Sequence, residues 1–116
     1  MEKILNYTLH DISIITPKGV VVIPRHGTAR CSTTRRLLSY ISCDDIKIPI
    51  NETIFGDISG LPDQKENTII IVSAITANVM REKGREDIYT VDEPVRDGNG
   101  KILGCRALSK VTKYGE

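Results

Sequence analysis

The sequence is poor in aromatic side chains, since its 116 residues include one Phe, four Tyr and no Trp. Proteins that hold single-stranded nucleic acids stack bases on aromatic side chains, and this chain has few to offer. It also lacks an excess of either charge: 16 Lys and Arg stand against 15 Asp and Glu, which gives a formal net charge of +1. We therefore expect no DNA or RNA partner, and an anionic ligand must be held by a few placed basic side chains.

Long apolar runs are missing as well. No segment approaches the roughly 18 apolar residues that a membrane-spanning helix needs, and the N-terminus carries no recognisable secretion signal. We expect a cytoplasmic protein without a membrane partner. The length suits one folded domain, residues 1–116, with a core of its own.

Cysteine and histidine are too few and too scattered for a metal site. The three cysteines, Cys31, Cys43 and Cys105, include no Cys-x-x-Cys pair, and the only histidines are His10 and His26. An odd number of widely spaced cysteines predicts neither a disulfide framework nor a zinc site, and no cofactor is indicated. We expect buried, reduced thiols.

Strand-forming residues dominate what is present. They predict an α+β fold of mostly antiparallel β structure with one short helix. Residues 17–19 are expected to turn strand 11–16 back onto strand 20–24 as a hairpin. Segment 35–42 is compatible with a strand or a short helix. The other expected elements are strands at 3–8, 29–33 and 45–58, the last an edge strand because it contains Pro49, and a loop at 60–68.

The one helix is expected near residues 74–83. Ser73 is a suitable N-cap, and Gly84 suits the left-handed conformation that ends many helices. Ile75 and Val79 are four residues apart and would share its apolar face.

A hairpin is predicted at the end of the domain. Its two-residue turn would be Gly98-Asn99, with Val95 opposite Ile102 and Arg96 opposite Lys101. By alternation, Arg106 would share a face with Ile102 and Leu108, beside space that the missing side chain of Gly104 leaves. An arginine on such an apolar face requires an anion.

Two apolar strands, Val20–Ile23 and Ile69–Val72, have no polar face. Each should therefore be covered on both sides. One short helix cannot cover both faces of a sheet, so the sheet either closes into a sandwich or small barrel or is completed by a second copy of the chain. We expect a homo-oligomer, with a closed barrel as the alternative.

Two segments resemble phosphatase motifs. An apolar strand followed by Arg25-His26-Gly27 is how histidine phosphatases present their phosphate-accepting histidine. Those enzymes also need a second histidine after the motif, an acid and a larger three-layer α/β fold, whereas His10 precedes the motif. The segment "CSTTRR" that begins at Cys31 is one residue short of the Cys-x₅-Arg loop of cysteine phosphatases. We expect no enzyme, and a phosphatase that uses His26 is a remote alternative.

Five motifs together resemble a family of small phage and prophage proteins. The family pattern reads N-L-T-P-H-x-I-x-I, I-P-P-S-G with A-R, G-L-P, I-V-S and V-R-D-x-x-G-x-I-x-G-C. The matching segments are "NYTLHDISI" (Asn6–Ile14), "IPRHGTAR" (Ile23–Arg30), "GLP" (Gly60–Pro62), "IVSAI" (Ile71–Ile75) and "VRDGNGKILGC" (Val95–Cys105). Leu9 departs from the family's proline and Arg25-His26 from its Pro-Ser, so His26 is not part of the shared pattern.

The chain also looks like the first-described Thoeris anti-defence proteins. Those phage products bind a cyclic ADP-ribose-type signal that bacterial TIR-domain enzymes make, and they sequester it without cleaving it. The resemblance implies action in the cytoplasm of an infected bacterium, by a dimer-based oligomer, up to a hexamer, that holds ligand between protomers. It also implies that cyclic oligonucleotides can be ligands at a separate site.

The leading hypothesis is thus a non-catalytic binder of a cyclic nucleotide signal. Arginine forks would hold its pyrophosphate, because two parallel N–H donors meet two oxygens, and the adenine would lie against Tyr89 or an apolar rim. For each arginine taken alone, with the exception of Arg106, a solvated surface position is the better interpretation. The candidate ligand-binding residues are Arg30, Arg96, Arg106, Asn78, Arg81, Arg25 and Tyr89. The alternative is a phage protein–protein interaction module that binds no small molecule.

Overall fold

The computed structural model describes residues 3–112, which form eight strands and one α-helix. The elements in chain order are β1 (Lys3–Asn6), β2 (Ile12–Thr16), β3 (Gly19–Ile23), β4 (Arg30–Cys43), β5 (Ile46–Ser59), β6 (Thr68–Ile71), α1 (Ala74–Met80), a 3₁₀ turn (Arg81–Lys83), β7 (Ile88–Arg96) and β8 (Ile102–Lys110). The predicted β2–β3 hairpin and the predicted loop after β5 are both confirmed.

Six strands form one mixed sheet in the order β1-β6-β7-β8-β2-β3. Three of its neighbouring pairs are parallel, namely β1–β6, β6–β7 and β2–β8. The sheet is therefore mixed, although most cross-strand residue pairs in it, and all of those between β4 and β5, are antiparallel as expected, and the α+β class is correct. The sheet curls into a half-barrel with β1 and β3 at its edges, and a single bridge between Asn6 and Arg25 connects the two edges.

The core lies where β6 passes through the middle of the sheet. Ile70 packs with Val72, Ala77, Met80, Ile88 and Val111, whereas Ile71 packs with Ile12 and Cys105. Both isoleucines are fully buried, which confirms that this strand is covered on both faces. The same expectation is wrong for β3 within one chain, because Val20, Val21 and Val22 are each at least half exposed at the sheet edge.

Helix α1 begins and ends as predicted. The Ser73 side chain accepts a hydrogen bond from the Thr76 N–H (3.4 Å), and Gly84 has a φ of 70° after the 3₁₀ turn. The predicted apolar face is wrong, because Thr76, Ala77 and Met80 are buried while Ile75 is 55% exposed.

The β7–β8 hairpin has a different register from the predicted one. Val95 lies opposite Gly104 and Arg96 opposite Ile102, with an irregularity between the two pairs. The reason is the Asp97 carboxylate, whose Oδ1 accepts N–H hydrogen bonds from Asn99 (2.8 Å) and Lys101 (3.0 Å). These bonds stabilise a five-residue loop in place of the two-residue turn.

Strands β4 and β5 lie outside the main sheet and pair only with each other. Each has 14 residues, and they form a long antiparallel ribbon, here called the arm, with Asp44-Asp45 at its tip. Both aspartates have positive φ, 49° and 61°, as a tight hairpin turn requires. The helical alternative for residues 35–42 is therefore wrong. The arm lengthens the molecule to 59 × 39 × 28 Å.

Candidate functional site

The candidate site is a groove of about 490 Å³ on the half-barrel, and none of its lining residues belongs to the arm. Four segments enclose it: the β1–β2 loop, the β6–α1 junction, the middle of β7 and the start of β8. Its lining residues are Thr8, His10, Asp11, Ile12, Ser13, Val72, Ser73, Ala74, Thr90, Val91, Pro94, Ile102, Leu103, Gly104 and Cys105. The wall is mainly apolar, with hydroxyl, imidazole and carboxylate groups at intervals.

Asn6 shapes the loop that forms one side of the groove. Its fully buried amide donates through Nδ2 to the carbonyls of His10 (2.7 Å) and Ile23 (3.1 Å). Its Oδ1 accepts from the Thr8 N–H (2.9 Å) and the Thr8 hydroxyl (2.6 Å). A buried amide with all of these partners fixes the loop in one conformation.

Asp11 and His10, in the same loop, have different roles. Asp11 accepts a hydrogen bond from the Arg25 N–H (2.8 Å), which ties the loop to the chain after β3. The His10 carbonyl accepts from the Asn6 amide, and His10 is an exposed residue that lines the groove. The "NYTLH" motif therefore has a structural basis in Asn6 and Thr8, and it leaves one imidazole available to a ligand.

Cys105 is the thiol at the groove, and it is buried. Burial raises the pKa of this thiol above its ordinary value. The thiol is therefore protonated at neutral pH and is a poor nucleophile. Cys31 is half-buried, but the expectation of a buried thiol is wrong for Cys43, which is exposed beside the arm tip. Between residues 3 and 112, no group of His, Cys, Asp or Glu is arranged to hold a metal ion.

The predicted ligand-binding residues are dispersed over the fold, and none of the seven lines the groove. Only Asn78 and Arg81 are brought together, by an Nε–Oδ1 hydrogen bond of 3.4 Å, and Arg81 also donates to the Thr112 carbonyl (3.1 Å). Arg25 is exposed and lies opposite Asn6 in a short β-bridge. Arg30 is exposed at the base of the arm, where it begins β4.

Three further candidates lie on the last two strands. Half-buried Tyr89 is in β7, where its carbonyl accepts a hydrogen bond from the Val72 N–H. Arg96 donates to the Gly100 carbonyl (2.9 Å) within its own hairpin loop. Arg106 is exposed, and the expected space at Gly104 does not exist: a Cβ there would lie 2.6 Å from the Ser13 carbonyl oxygen. The glycine lets β2 approach β8, so it leaves no gap for an arginine to fill.

His26 lies on the surface against Tyr7. The two rings are 5.6 Å apart at 50°, and the His26 N–H donates to the Asn6 carbonyl (2.8 Å). A Cβ on Gly27 would come within 2.7 Å of the Tyr7 ring, so this glycine permits the close packing. The Arg-His-Gly segment is thus explained by packing against β1.

Comparison with protein-family models, curated proteins and solved structures finds no match to this chain. The helices within residues 3–112 are all too short or too polar to span a membrane.

Sequence reasoning missed most of the groove. The signal for Asn6 was available, because an asparagine two residues before a threonine at a strand end is typical of a side-chain-capped turn. No comparable signal existed for Val91, Ile102 or Leu103, which are exposed and meet at the groove through the pairing of β7 with β8.

Proposed function

We propose that the protein binds a cyclic ADP-ribose-type signalling nucleotide and sequesters it without cleavage, in the cytoplasm of a phage-infected bacterium. The observation that carries the proposal is the groove. Its volume of about 490 Å³ lies within the roughly 300–1,000 Å³ of small-molecule sites, and its wall combines apolar surface with spaced polar groups. Adenine and ribose need such a mixture. The ligand class and the setting follow from the family resemblance.

The pyrophosphate of such a ligand would need cationic partners that one copy of the groove lacks. One guanidinium group donates two parallel hydrogen bonds to two phosphate oxygens. Arg30 and Arg106 are exposed on the surface of the protein. A neighbouring copy in an oligomer would bring such arginines to the rim. We therefore place the ligand between protomers of a homo-oligomer.

Sequestration also fits the chemistry of the groove. A protein that only holds its ligand needs affinity for the ground state and no groups that stabilise a transition state. Cys105, the obvious nucleophile type in the groove, has a raised thiol pKa and serves the apolar wall. His10 would then donate or accept a hydrogen bond at the ligand.

The test is retention and release. The protein is incubated with cyclic ADP-ribose isomers, separated from free nucleotide and heated, and the released nucleotide is identified by mass spectrometry. We expect intact ligand in stoichiometric amount. Hydrolysed ligand, or turnover of a generic phosphate ester that His26→Ala abolishes, would mean an enzyme. Absence of any retained nucleotide would contradict the proposal.

A variant of the groove locates the site. Leu103→Glu places a negative charge on an exposed side chain of the wall, and we expect it to weaken nucleotide binding at least about tenfold through repulsion of the phosphates. Val20→Glu is the matched control, because Val20 is similarly exposed but lies on β3 outside the groove lining. Equal loss of binding in the two variants would contradict the assignment of the groove.

One observation favours a second candidate function, a protein–protein interaction module. The arm exposes large apolar side chains, among them Leu38, Tyr40 and Phe55, each at least half exposed. Large apolar side chains exposed in number on one element are typical of interaction sites in soluble proteins. Retention of no nucleotide, combined with a specific complex through the arm, would favour this candidate.

A further inference from the structure

The arm has two different faces. Cross-strand partners share a face, and on one of them Ile41 lies opposite Ile48, with Ile46 and Ile50 on either side along β5. We call this the isoleucine face. Its members are Thr34, Arg36, Ser39, Ile41, Cys43, Ile46, Ile48, Ile50, Glu52 and Ile54. Along β5, residues of this face alternate with residues of the opposite face, and nearly all of the β5 residues on this face are isoleucine.

The opposite face is mixed. It pairs Tyr40 with Pro49, Leu37 with Asn51 and Thr33 with Phe55, and its remaining pairs include Lys47 and Arg35. The opposite face thus mixes apolar side chains with lysine, arginine and asparagine, whereas the isoleucine face carries branched apolar side chains at nearly every position of β5. The isoleucine face therefore has the composition of a buried surface.

No part of the chain between residues 3 and 112 buries the isoleucine face. Ile41, Ile46, Ile48 and Ile54 are 56%, 66%, 45% and 44% exposed. Together they expose on the order of 400 Å² per copy, close to the apolar share of the ~800 Å² that one partner buries in a standard-size interface. An isolated two-stranded ribbon is only marginally stable, so covering this face would also stabilise the arm itself.

Charge on the same face is balanced. Its charged residues are Arg36 and Glu52, which form a salt bridge with each other across the ribbon. Two identical copies of the face can therefore meet without placing unpaired like charges in contact, as a two-fold interface requires. A heterologous partner would need no such neutrality.

From the area, the alternation and the internal charge pairing, we propose that the isoleucine faces of two copies pack against each other and form a two-fold dimer. The arms would lie as two stacked ribbons, about 10 Å apart as in other face-to-face sheet packings. The inference deepens the proposed function by naming the interface, and it rests on that function only for the statement that ligand lies between protomers.

The test is the mass of the protein in solution without nucleotide, measured by sedimentation equilibrium over a range of concentrations. We expect a dimer for the wild type. Ile48→Lys puts a charge at the centre of the isoleucine face twice per dimer, and we expect it to weaken the dimer at least about 100-fold. Ile46→Lys, next to the tip turn, is the second variant should the first fail to fold.

Tyr40→Lys is the matched control, because Tyr40 is adjacent to Ile41 but belongs to the opposite face and is equally exposed. We expect less than about a threefold change in its dimer dissociation constant. A monomeric wild type, a dimer that survives both isoleucine variants, or equal dissociation by Tyr40→Lys would each overturn the inference.

Nucleotide retention measured on the same samples separates this inference from the proposed function. A dimer that depends on Ile48 but retains no nucleotide supports the interface and contradicts sequestration. Nucleotide retained by a monomeric wild type contradicts the interface and leaves nucleotide binding supported.

Discussion

At the scale of single residues, Asn6 connects the sequence motif to the groove. Its side chain forms four hydrogen bonds, to the β1–β2 loop and to β3, and its backbone carbonyl accepts a hydrogen bond from the His26 N–H. Aspartate would not serve in its place, since a carboxylate cannot donate to the carbonyls of His10 and Ile23. The residue therefore determines where the loop and its imidazole lie.

We expect Asn6→Ala to lower the free energy of unfolding by about 3 kcal/mol, because it removes a fully buried amide that makes four hydrogen bonds. Urea unfolding followed by circular dichroism measures the change. Asn51→Ala is the control, since Asn51 is exposed on the arm, and it should cost less than about 0.5 kcal/mol. Similar costs for the two variants would show that the Asn6 network does not stabilise the fold.

At the scale of elements, the contact between β2 and β8 depends on a missing side chain. Ile14 lies opposite Cys105, and the adjacent Gly104 lets the Ser13 carbonyl come within 2.6 Å of where a Cβ would be. In the strand order, the β2–β3 hairpin joins the rest of the sheet through this pairing with β8, and the bridge between Asn6 and Arg25 adds a contact with β1. A substitution at Gly104 should therefore destabilise the pairing of both β2 and β3.

We expect Gly104→Ala to destabilise the protein by about 2 kcal/mol, since the methyl group must displace the β2 backbone. Amide hydrogen exchange should accelerate in β2 and β3 before it does in β6. Gly98→Ala is the control, because a Cβ there meets nothing within 4 Å, and its effect should stay below about 0.5 kcal/mol. Unchanged exchange in β2 would contradict the prediction.

The sequence predicts those elements whose interactions are local. The β2–β3 hairpin and both ends of α1 follow from turn and capping residues such as Ser73 and Gly84, which act on their immediate neighbours. The parallel pairing of β1 with β6 is not predictable in this way, because Lys3 and its partner Thr68 share no local signal. The register of the last hairpin fails for a related reason: a loop bonded by Asp97 competes with the two-residue turn, and the residue pattern allows both.

The candidate site is less predictable than the fold. A groove wall is made by residues such as Val91 and Leu103 that are ordinary strand residues until β7 and β8 pair. The arginines stand out in the sequence because of their charge, but charge alone does not say which way a strand faces. Arg106, for example, follows buried Cys105 and is therefore directed to the outer side of β8.

At the scale of the whole molecule, the arm separates two kinds of surface. The Cα radius of gyration is 17.8 Å, against about 13 Å for a compact domain of this length. The difference arises because β4 and β5 pair with each other alone, whereas the core of the body is built around β6 and α1. The body should therefore fold without the outer part of the arm.

We expect a protein in which residues 37–51 are replaced by Asn-Gly to fold as a monomer. Arg36 and Glu52 already pair, so the shortened ribbon keeps its register with a turn suited to two-residue hairpins. Its urea midpoint should equal that of monomeric Ile48→Lys within the error of the measurement. A body that unfolds when the outer arm is removed would show that the two parts are not independent.

The strand order also has a consequence during synthesis. A ribosome that has released Ser59 has released the complete arm, whose partners are neighbours along the chain. Of the six strands of the sheet, only β1, β2 and β3 have been synthesised at that point. β1 can pair with β6 only after Thr68 is synthesised, and β2 can pair with β8 only after Cys105 is synthesised. Domains fold as their segments emerge, and local pairings form fastest. The isoleucine face is therefore exposed to its surroundings during the whole time in which residues 60–116 are synthesised.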